Sequence, residues 1–256
     1  MAQDSEKEIQ QLKNRFKDLA NKSFQQGIYT FTSFLGLSEQ DTFWQEEQNL
    51  RHAGYTIFGG CEDADRVIIR FGNPQELGYE IPFPIVCVHI RPLQQKFADA
   101  LSHRDFLGAL MNLGIERSTL GDIKVGESRA YLFCQDSIAE YICQNLEKIK
   151  HTNVKCTITE DFESIPQEEP EIMYVQVQSL RADALLSKTY NMSREKSLEL
   201  FRAGKVYVNG RLCENNSRIM KVGETINARG YGKFTLKGEP RETRKGKLAA
   251  EVAVYR

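Results

Sequence analysis

The chain has 256 residues, 41% hydrophobic and 27% charged, with a formal net charge of −1. That is ordinary for a folded protein and leaves room for one large domain or two to three small ones. No apolar run approaches the length needed to cross a bilayer, which excludes a membrane-spanning helix. The near-neutral total hides a split. Residues 1–178 hold 17 Lys+Arg against 27 Asp+Glu, or −10; residues 179–256 hold 17 against 8, or +9. A basic C-terminal third on an acidic body points to a polyanion-binding module joined to something else. The cysteines Cys61, Cys87, Cys134, Cys143, Cys156 and Cys213 form no CxxC pair. Cys87, Cys134 and Cys156 lie in apolar runs, where Cys acts as a small buried hydrophobe, and the pattern fits a reducing cytoplasm. The opening MAQDSEKEIQ lacks the apolar core of a signal peptide, so a soluble, cytoplasmic protein is expected.

In chain order, residues 5–26 predict an amphipathic helix on Ile9, Leu12, Phe16 and Leu19. A strand is expected over Tyr29–Leu35. A second helix opens at Ser38-Glu39-Gln40-Asp41 and carries Phe43, Trp44 and Leu50. Strands follow at Tyr55–Phe58 and Arg66–Phe71 around Gly59-Gly60. That doublet reads as a tight turn, because no helix with Lys-Ser/Thr follows to make a phosphate loop. Pro82 and Pro84 mark a boundary. Beyond it come a strand at Ile85–Ile90, a helix at His103–Leu113 and strands at Asp122–Val125 and Arg129–Phe133. A helix at Ile138–Ile149 and a strand at Val154–Thr159 complete a βαββαβ order. This is the ferredoxin-like order, shared with RNA-recognition motifs. Tyr131 and Phe133 offer only a weak version of the stacking aromatics such domains use.

Residues 160–171, EDFESIPQEEPE, read as an acidic linker. Two short helices follow. Leu180, Ala184 and Leu185 share one side of the first; Ser193 caps the second, Glu195 sits in its first turn, and Leu198 and Phe201 form its buried stripe. Gly204 stands where a helix C′ residue needs positive φ, and Asn209-Gly210 signals a two-residue hairpin. Strands are expected at Arg211–Glu214, Glu224–Ala228, Lys233–Lys237 and Leu248–Tyr255, with a basic loop over 241–247.

Leu180-Arg181-x-Asp183-x-x-Leu186, Ser193-Arg194, Gly204-x-Val206-x-Val208-Asn209-Gly210 and Val222-Gly223-x-x-Ile226 resemble the ribosomal-protein S-four RNA-binding family. The pattern departs at Ala182 (usually Leu), Ser197 (usually Ala) and Asn216 (commonly Pro). A second resemblance covers most of the chain. His103-Arg104-Asp105-Phe106-Leu107-Gly108-Ala109-Leu110, Leu113-Gly114-Ile115-Glu116-Arg117 and Gly121-Asp122-Ile123 are similar to the central motif of the YlmH family. Thr32, Phe34, Leu35, Glu39, Gly59-Gly60 and Ala64-Asp65-Arg66 are similar to its N-terminal unit, with Asp65 where Glu is expected. That resemblance implies a bacterial RNA-binding protein, often linked to division-gene clusters. It further implies binding to the large ribosomal subunit and tRNA during rescue of stalled nascent chains.

The expected fold is therefore α+β: a small N-terminal α/β unit (1–80), a ferredoxin-like domain (81–160), an acidic linker (161–178) and an S-four-like domain with C-terminal strands (179–256). The expected RNA-binding residues are Arg181, Lys188, Ser193, Arg194, Lys196, Arg202, Lys205, Asn209 and Arg211, with secondary contacts at Arg104, Arg244, Lys245 and Lys247. The partners expected are structured rRNA and tRNA and the large ribosomal subunit, bound by a monomer. No cofactor, metal or catalytic residue is expected. His52, His89, His103 and His151 are scattered, and neither a GxGxxG nor a GxSxG element is present. Two alternatives stay open: an RNA-modifying enzyme of pseudouridine-synthase type around His103–Asp105, and a division-linked adaptor using the acidic body.

Overall fold

In the computed structural model, residues 2–61, 64–126, 129–160, 165, 170–243 and 246–255 are described. Contacts between elements divide the chain into two units, residues 1–167 and 168–256. Both mix helices with antiparallel sheet, and the class is α+β.

The first unit opens with α1 (Ala2–Gln26), whose apolar stripe buries Phe16 and Ala20. β1 (Thr30–Phe31), α2 (Leu37–Leu50), β2 (Tyr55–Phe58) and β3 (Ile68–Phe71) follow, then one helical turn, α3 (Pro74–Leu77). The three strands pair in the order β1-β3-β2. The expected strand over Tyr29–Leu35 contracts to β1 plus a single bridge from Leu35 to Val67. The chain turns inward between them: Thr32 and Phe34 are buried, and Thr32 Oγ1 accepts the Ile69 N–H at 2.9 Å. Fully buried Phe43 centres this layer. The rings of Phe16, Trp44 and Tyr55 meet it edge-on at centroid distances of 5.6, 5.2 and 5.0 Å, the geometry aromatic quadrupoles favour.

A second sheet is built from β4 (Ile85–Pro92), α4 (His103–Asn112), β5 (Leu120–Val125), β6 (Ala130–Gln135), α5 (Asp136–Asn145), β7 (Lys148–Ile149) and β8 (Thr152–Thr159). Its order is β5-β6-β4-β8-β7. The four main strands thus adopt the split-βαβ arrangement the sequence predicts. One helix differs. α5 stops at Asn145, and the Ile149 that helical spacing assigns to it lies in β7, which folds back on β8 through Lys150 at φ 51°. Ile149 keeps its apolar role, since it is buried in the same core from a strand.

Side chains alternate across this sheet. Val88, Ile90, Leu132 and Cys134 face α4 and α5 and close the main core with Phe106, Leu110 and Ile142. Cys87, Tyr131 and Phe133 point to the opposite face, where Phe34 and Ile68 of the N-terminal layer cover them. Two glycines permit this closeness. A Cβ on Gly121 would lie 2.7 Å from the Phe34 ring, and one on Gly60, at φ +100°, would collide with the Phe133 ring. Gly59-Gly60 opens the nine-residue connection from β2 to β3, where a tight turn was expected, and what it seats is an aromatic ring.

Arg66 fastens the two sheets. Its Nε donates to the Leu120 carbonyl at 2.8 Å, and its Nη2 donates to the carbonyls of Phe34 and Arg117 at 3.0 and 3.1 Å. Asp122 accepts the backbone N–H groups of Asp65 and Arg66. Arg117 completes the cluster by donating to the carbonyls of Leu120 and Gly121. Burial pushes the Arg66 guanidinium pKa down and that of Arg117 to about 10. Both still carry their charge at neutral pH.

The second unit holds β9 (Glu171–Val177), α6 (Ala182–Thr189), α7 (Arg194–Arg202), β10 (Val206–Val208), β11 (Arg211–Leu212), β12 (Thr225–Ala228), β13 (Gly232–Glu242) and β14 (Leu248–Tyr255). The sheet runs β11-β10-β12-β13-β14-β9. β9 lies in the stretch expected as acidic linker. It pairs with β14 over seven residues and buries Val175 and Val177, an alternation masked in sequence by the prolines and acids before it. The buried stripe of α7 is Ser197, Leu200 and Phe201; Leu198 is only half-buried. The expected loop at 241–247 is shorter, because Arg241 and Glu242 pair with Ala249 and Leu248.

Replacing Gly60 with Ala should destabilise the first unit by about 1–3 kcal/mol, through backbone strain and the Phe133 collision. Gly78→Ala should lose less: its φ is also positive, at 76°, but nothing lies within 4 Å of the added carbon. Urea unfolding followed by the single tryptophan, Trp44 in α2, reads this unit directly. Equal losses for the two variants would refute the packing role.

Candidate nucleic-acid interface

The cationic helix pair is organised around one buried acid. Asp183, 1% exposed, sits in the first turn of α6, where the helix dipole favours a negative charge. Arg181 grips it with two parallel bonds, Nε to Oδ1 at 2.9 Å and Nη2 to Oδ2 at 2.7 Å. Asn216 donates to Oδ2 at 2.9 Å, and the Arg194 guanidinium stands 3.9 Å away. Ser197 Oγ donates to the Asp183 carbonyl at 3.0 Å. Two of the three departures from the S-four pattern, Ser197 and Asn216, therefore both bind Asp183. The Ala182 and Asp183 N–H groups donate to the carbonyls of Arg218 and Asn216, which satisfies the open start of the helix.

Burial acts to raise the Asp183 pKa, but the Arg181 guanidinium and the Asn216 amide outweigh it and hold the carboxyl below its ordinary range. The sign follows. A carboxyl that titrates lower in the fold than in the unfolded chain stabilises the fold above its unfolded value of about 3.9. That stabilisation is lost as the pH falls toward the folded value.

The expected site residues divide by their surroundings. Lys188, Arg194, Lys196, Arg202, Lys205 and Arg211 are exposed on the ends of α6 and α7 and on the following hairpin. Arg181 is committed to Asp183, so its guanidinium is a strut with a partly open edge. Ser193 accepts the Lys196 N–H at 3.1 Å and is the cap that spacing predicts. Asn209 and Gly210, at φ 50° and 77°, form the hairpin turn, and Asn209 Oδ1 accepts the Thr225 N–H at 2.9 Å. Lys196 shares its charge with Glu199 at 2.9 Å. The structure brings Arg181 and Arg194 together around Asp183, whereas Arg211 stands across the Asn209-Gly210 turn. Arg229 was not singled out by the sequence, lying in no motif. It is exposed, its N–H donates to the Lys205 carbonyl, and its guanidinium lies 5.1 Å from the Tyr207 ring centre. Lys247 is half-buried, and Arg244 and Lys245 lie outside the described residues.

In the first unit, Arg104 is exposed in the first turn of α4. Its neighbour Asp105 caps the helix: it accepts from the Ser102 N–H and hydroxyl at 2.8 and 2.7 Å and pairs with Lys150 at 2.8 Å. Lys150 and Ser102 pull its pKa down to about 2. Burial pushes the thiols of Cys87, Cys134 and Cys156 up to about 12, which leaves them unreactive at neutral pH. Among the described residues no cluster of His, Cys, Asp and Glu could hold a metal ion, and no helix is long and apolar enough to cross a membrane.

Comparison with known proteins bears on the split-βαβ sheet. Residues 79–163, which span β4 to β8, match the family described as "Putative RNA-binding domain in YlmH". An α+β protein with an RNA-binding-type central domain is thus the class. The match is confined to the central domain, and beyond it the chain is similar to a curated relative. The relative, "Ribosome-associated protein quality control protein P2" of Bacillus subtilis (strain 168), is 28% identical over 202 residues, 76% of this chain and 75% of its own length. A solved structure, "Cell division protein ylmH from Streptococcus pneumoniae", is 21% identical with a TM-score of 0.48. The alignment covers 62% of this chain and 95% of that one. The family match ends before the C-terminal unit begins.

Removing the acid tests the organisation of the helix pair. Asp183→Ala should destabilise the second unit by about 2–4 kcal/mol, because it leaves Arg181 without its counter-charge. Amide exchange at Leu185 and Leu186 in α6 reads the loss. Wild type should also lose stability as the pH falls below about 4, along a limb that Asp183→Asn lacks. Coincident pH profiles would refute the assignment.

Proposed function

We propose that the chain is a non-catalytic, cytoplasmic RNA-binding protein that acts on the ribosome. Its RNA contacts come from an S-four-like module in the second unit. By kinship with the Bacillus protein, its setting is quality control of stalled nascent chains. Its targets are rRNA and tRNA on the large subunit, and it acts as a monomer. Within the first unit we read residues 1–80 as an accessory domain and 81–160 as a second RNA-binding domain.

The observation that carries this reading is the charge of the C-terminal unit. Six exposed cations surround a helix pair whose internal acid is already neutralised, in a segment with a net charge of +9 (17 Lys+Arg against 8 Asp+Glu). Such a surface attracts phosphate and gains by releasing counterions. The capped second helix and the Asn209-Gly210 turn hold the cations on a rigid frame. The non-catalytic reading is supported at the most tempting chemical position. Asp105 is engaged as the cap of α4, accepting from Ser102 and paired with Lys150, which leaves its carboxylate a structural role.

Arg194→Glu combined with Lys205→Glu should weaken binding of the full-length protein to ribosomal RNA at least about tenfold near 0.1 M salt. It should also flatten the dependence of log Kd on log salt by about 1.5. Filter binding across a salt series measures both. Unchanged affinity at low and high salt would overturn the site.

A further inference from the structure

The aromatics that an RNA-recognition sheet would offer to bases are closed off here. Phe133 is 1% exposed beneath Gly60 and Phe34, and Tyr131 is 2% exposed. Tyr131 also stacks on the His89 imidazole, with ring centres 4.5 Å apart and planes 2° from parallel. The N-terminal layer covers only part of this face. Further along the same face the outward positions are Arg129 just before β6, Arg91 on β4 and Lys155 on β8. All three are exposed. Arg91 is the direct cross-strand partner of Lys155, and Arg129 precedes Ala130, which pairs with Ile90. The three cations therefore form a row across three adjacent strands, spaced by the interstrand distance of about 4.8 Å. Among the described residues none of the three is in an ion pair.

A groove of about 480 Å³ lies against two of the three, Arg91 and Arg129. His89, Arg91, Pro92, Leu93, Gln95 and Arg129 line it, with no carboxylate among them. Cations that are neither paired internally nor set against acids repel one another, and the arrangement makes electrostatic sense with an anionic occupant. Tyr131 and Phe133 are closed to a planar base, and the half-buried His89 imidazole already stacks on Tyr131. The donors that remain are two guanidinium forks and an ammonium, which suit phosphate oxygens.

We propose that the uncovered half of the central sheet's outer face is a phosphate-gripping RNA site, formed by Arg91, Arg129 and Lys155, which binds the RNA backbone without stacking its bases. It rests on the reading of the central domain as RNA-binding and is separate from the residues assigned in the second unit. It predicts binding that is strongly salt-dependent and indifferent to base identity.

The test uses the full-length protein carrying Arg91→Glu, Arg129→Glu and Lys155→Glu. A control carries Lys7→Glu, Arg15→Glu and Lys22→Glu on the exposed side of α1, an equal change of charge. A fluorescein-labelled oligouridine and a labelled hairpin serve as probes in anisotropy titrations across a salt series. The sheet variant should raise Kd at least about tenfold over the control on one or both RNAs and flatten the salt dependence by about 2. The probe that loses affinity identifies single-stranded or duplex backbone as the ligand. Oligouridine and oligoadenosine should lose equally. A sheet variant indistinguishable from the control on both probes overturns the site, as does a loss confined to one base. The Gln versions of the same three changes serve if the reversals perturb folding. Failure of Arg194→Glu with Lys205→Glu alongside a loss here would remove the C-terminal assignment and leave this one standing.

Discussion

The second unit depends on a carboxylate placed where water cannot reach it. A bare Asp183 in that position would be strongly unfavourable, and the fold meets the cost with an Arg fork, an amide and the start of a helix. Arg181 is the N-cap of the same helix and Asn216 lies 33 residues on, so satisfying one charge ties the start of α6 to a distant loop. The arrangement also separates two kinds of arginine that composition cannot distinguish. Arg181 is spent on the interior, while Arg194 lies near the same acid at the looser distance of 3.9 Å and keeps its side chain in solvent.

The first unit relies on an arginine in the mirrored role. Arg66 lies between two sheets and closes backbone carbonyls from the N-terminal layer and the central sheet. Those carbonyls belong to turns and strand ends, and that of Leu120 is shared with Arg117. By pinning the layers together, Arg66 keeps Phe34 over Gly121 and Phe133 under Gly60. The same lock that makes the unit cohesive removes the aromatic platform from half of a sheet face. What is left of that face is cationic.

Features that depend on a few neighbouring residues were legible in the sequence. The Ser193 cap, the left-handed Gly204 and the Asn209-Gly210 turn are set by local backbone preference, and the structure has each of them. So is the βαββαβ order, which alternation and helical spacing mark element by element. The partners of Asp183 were not legible, because Asn216 is 33 residues away and no periodicity links the two. Nor was the burial of Tyr131 and Phe133. A strand alternates in the same way whether its second face meets water or another layer, and the covering residues Phe34 and Gly60 lie far upstream. β9 escaped notice for a related reason. Its valines gain meaning only beside β14, more than seventy residues on.

That last pairing has a consequence for how the protein is made. β9 is the first element of its unit to emerge from the synthesising ribosome, and its partner β14 is the last. The edge strand must wait, with its backbone hydrogen-bonding groups unmet, until residues 248–254 have been added. Locally closed parts, the α6–α7 pair and the Asn209-Gly210 hairpin, can order before then. Vectorial synthesis therefore orders the cationic helices ahead of the sheet that finally braces them.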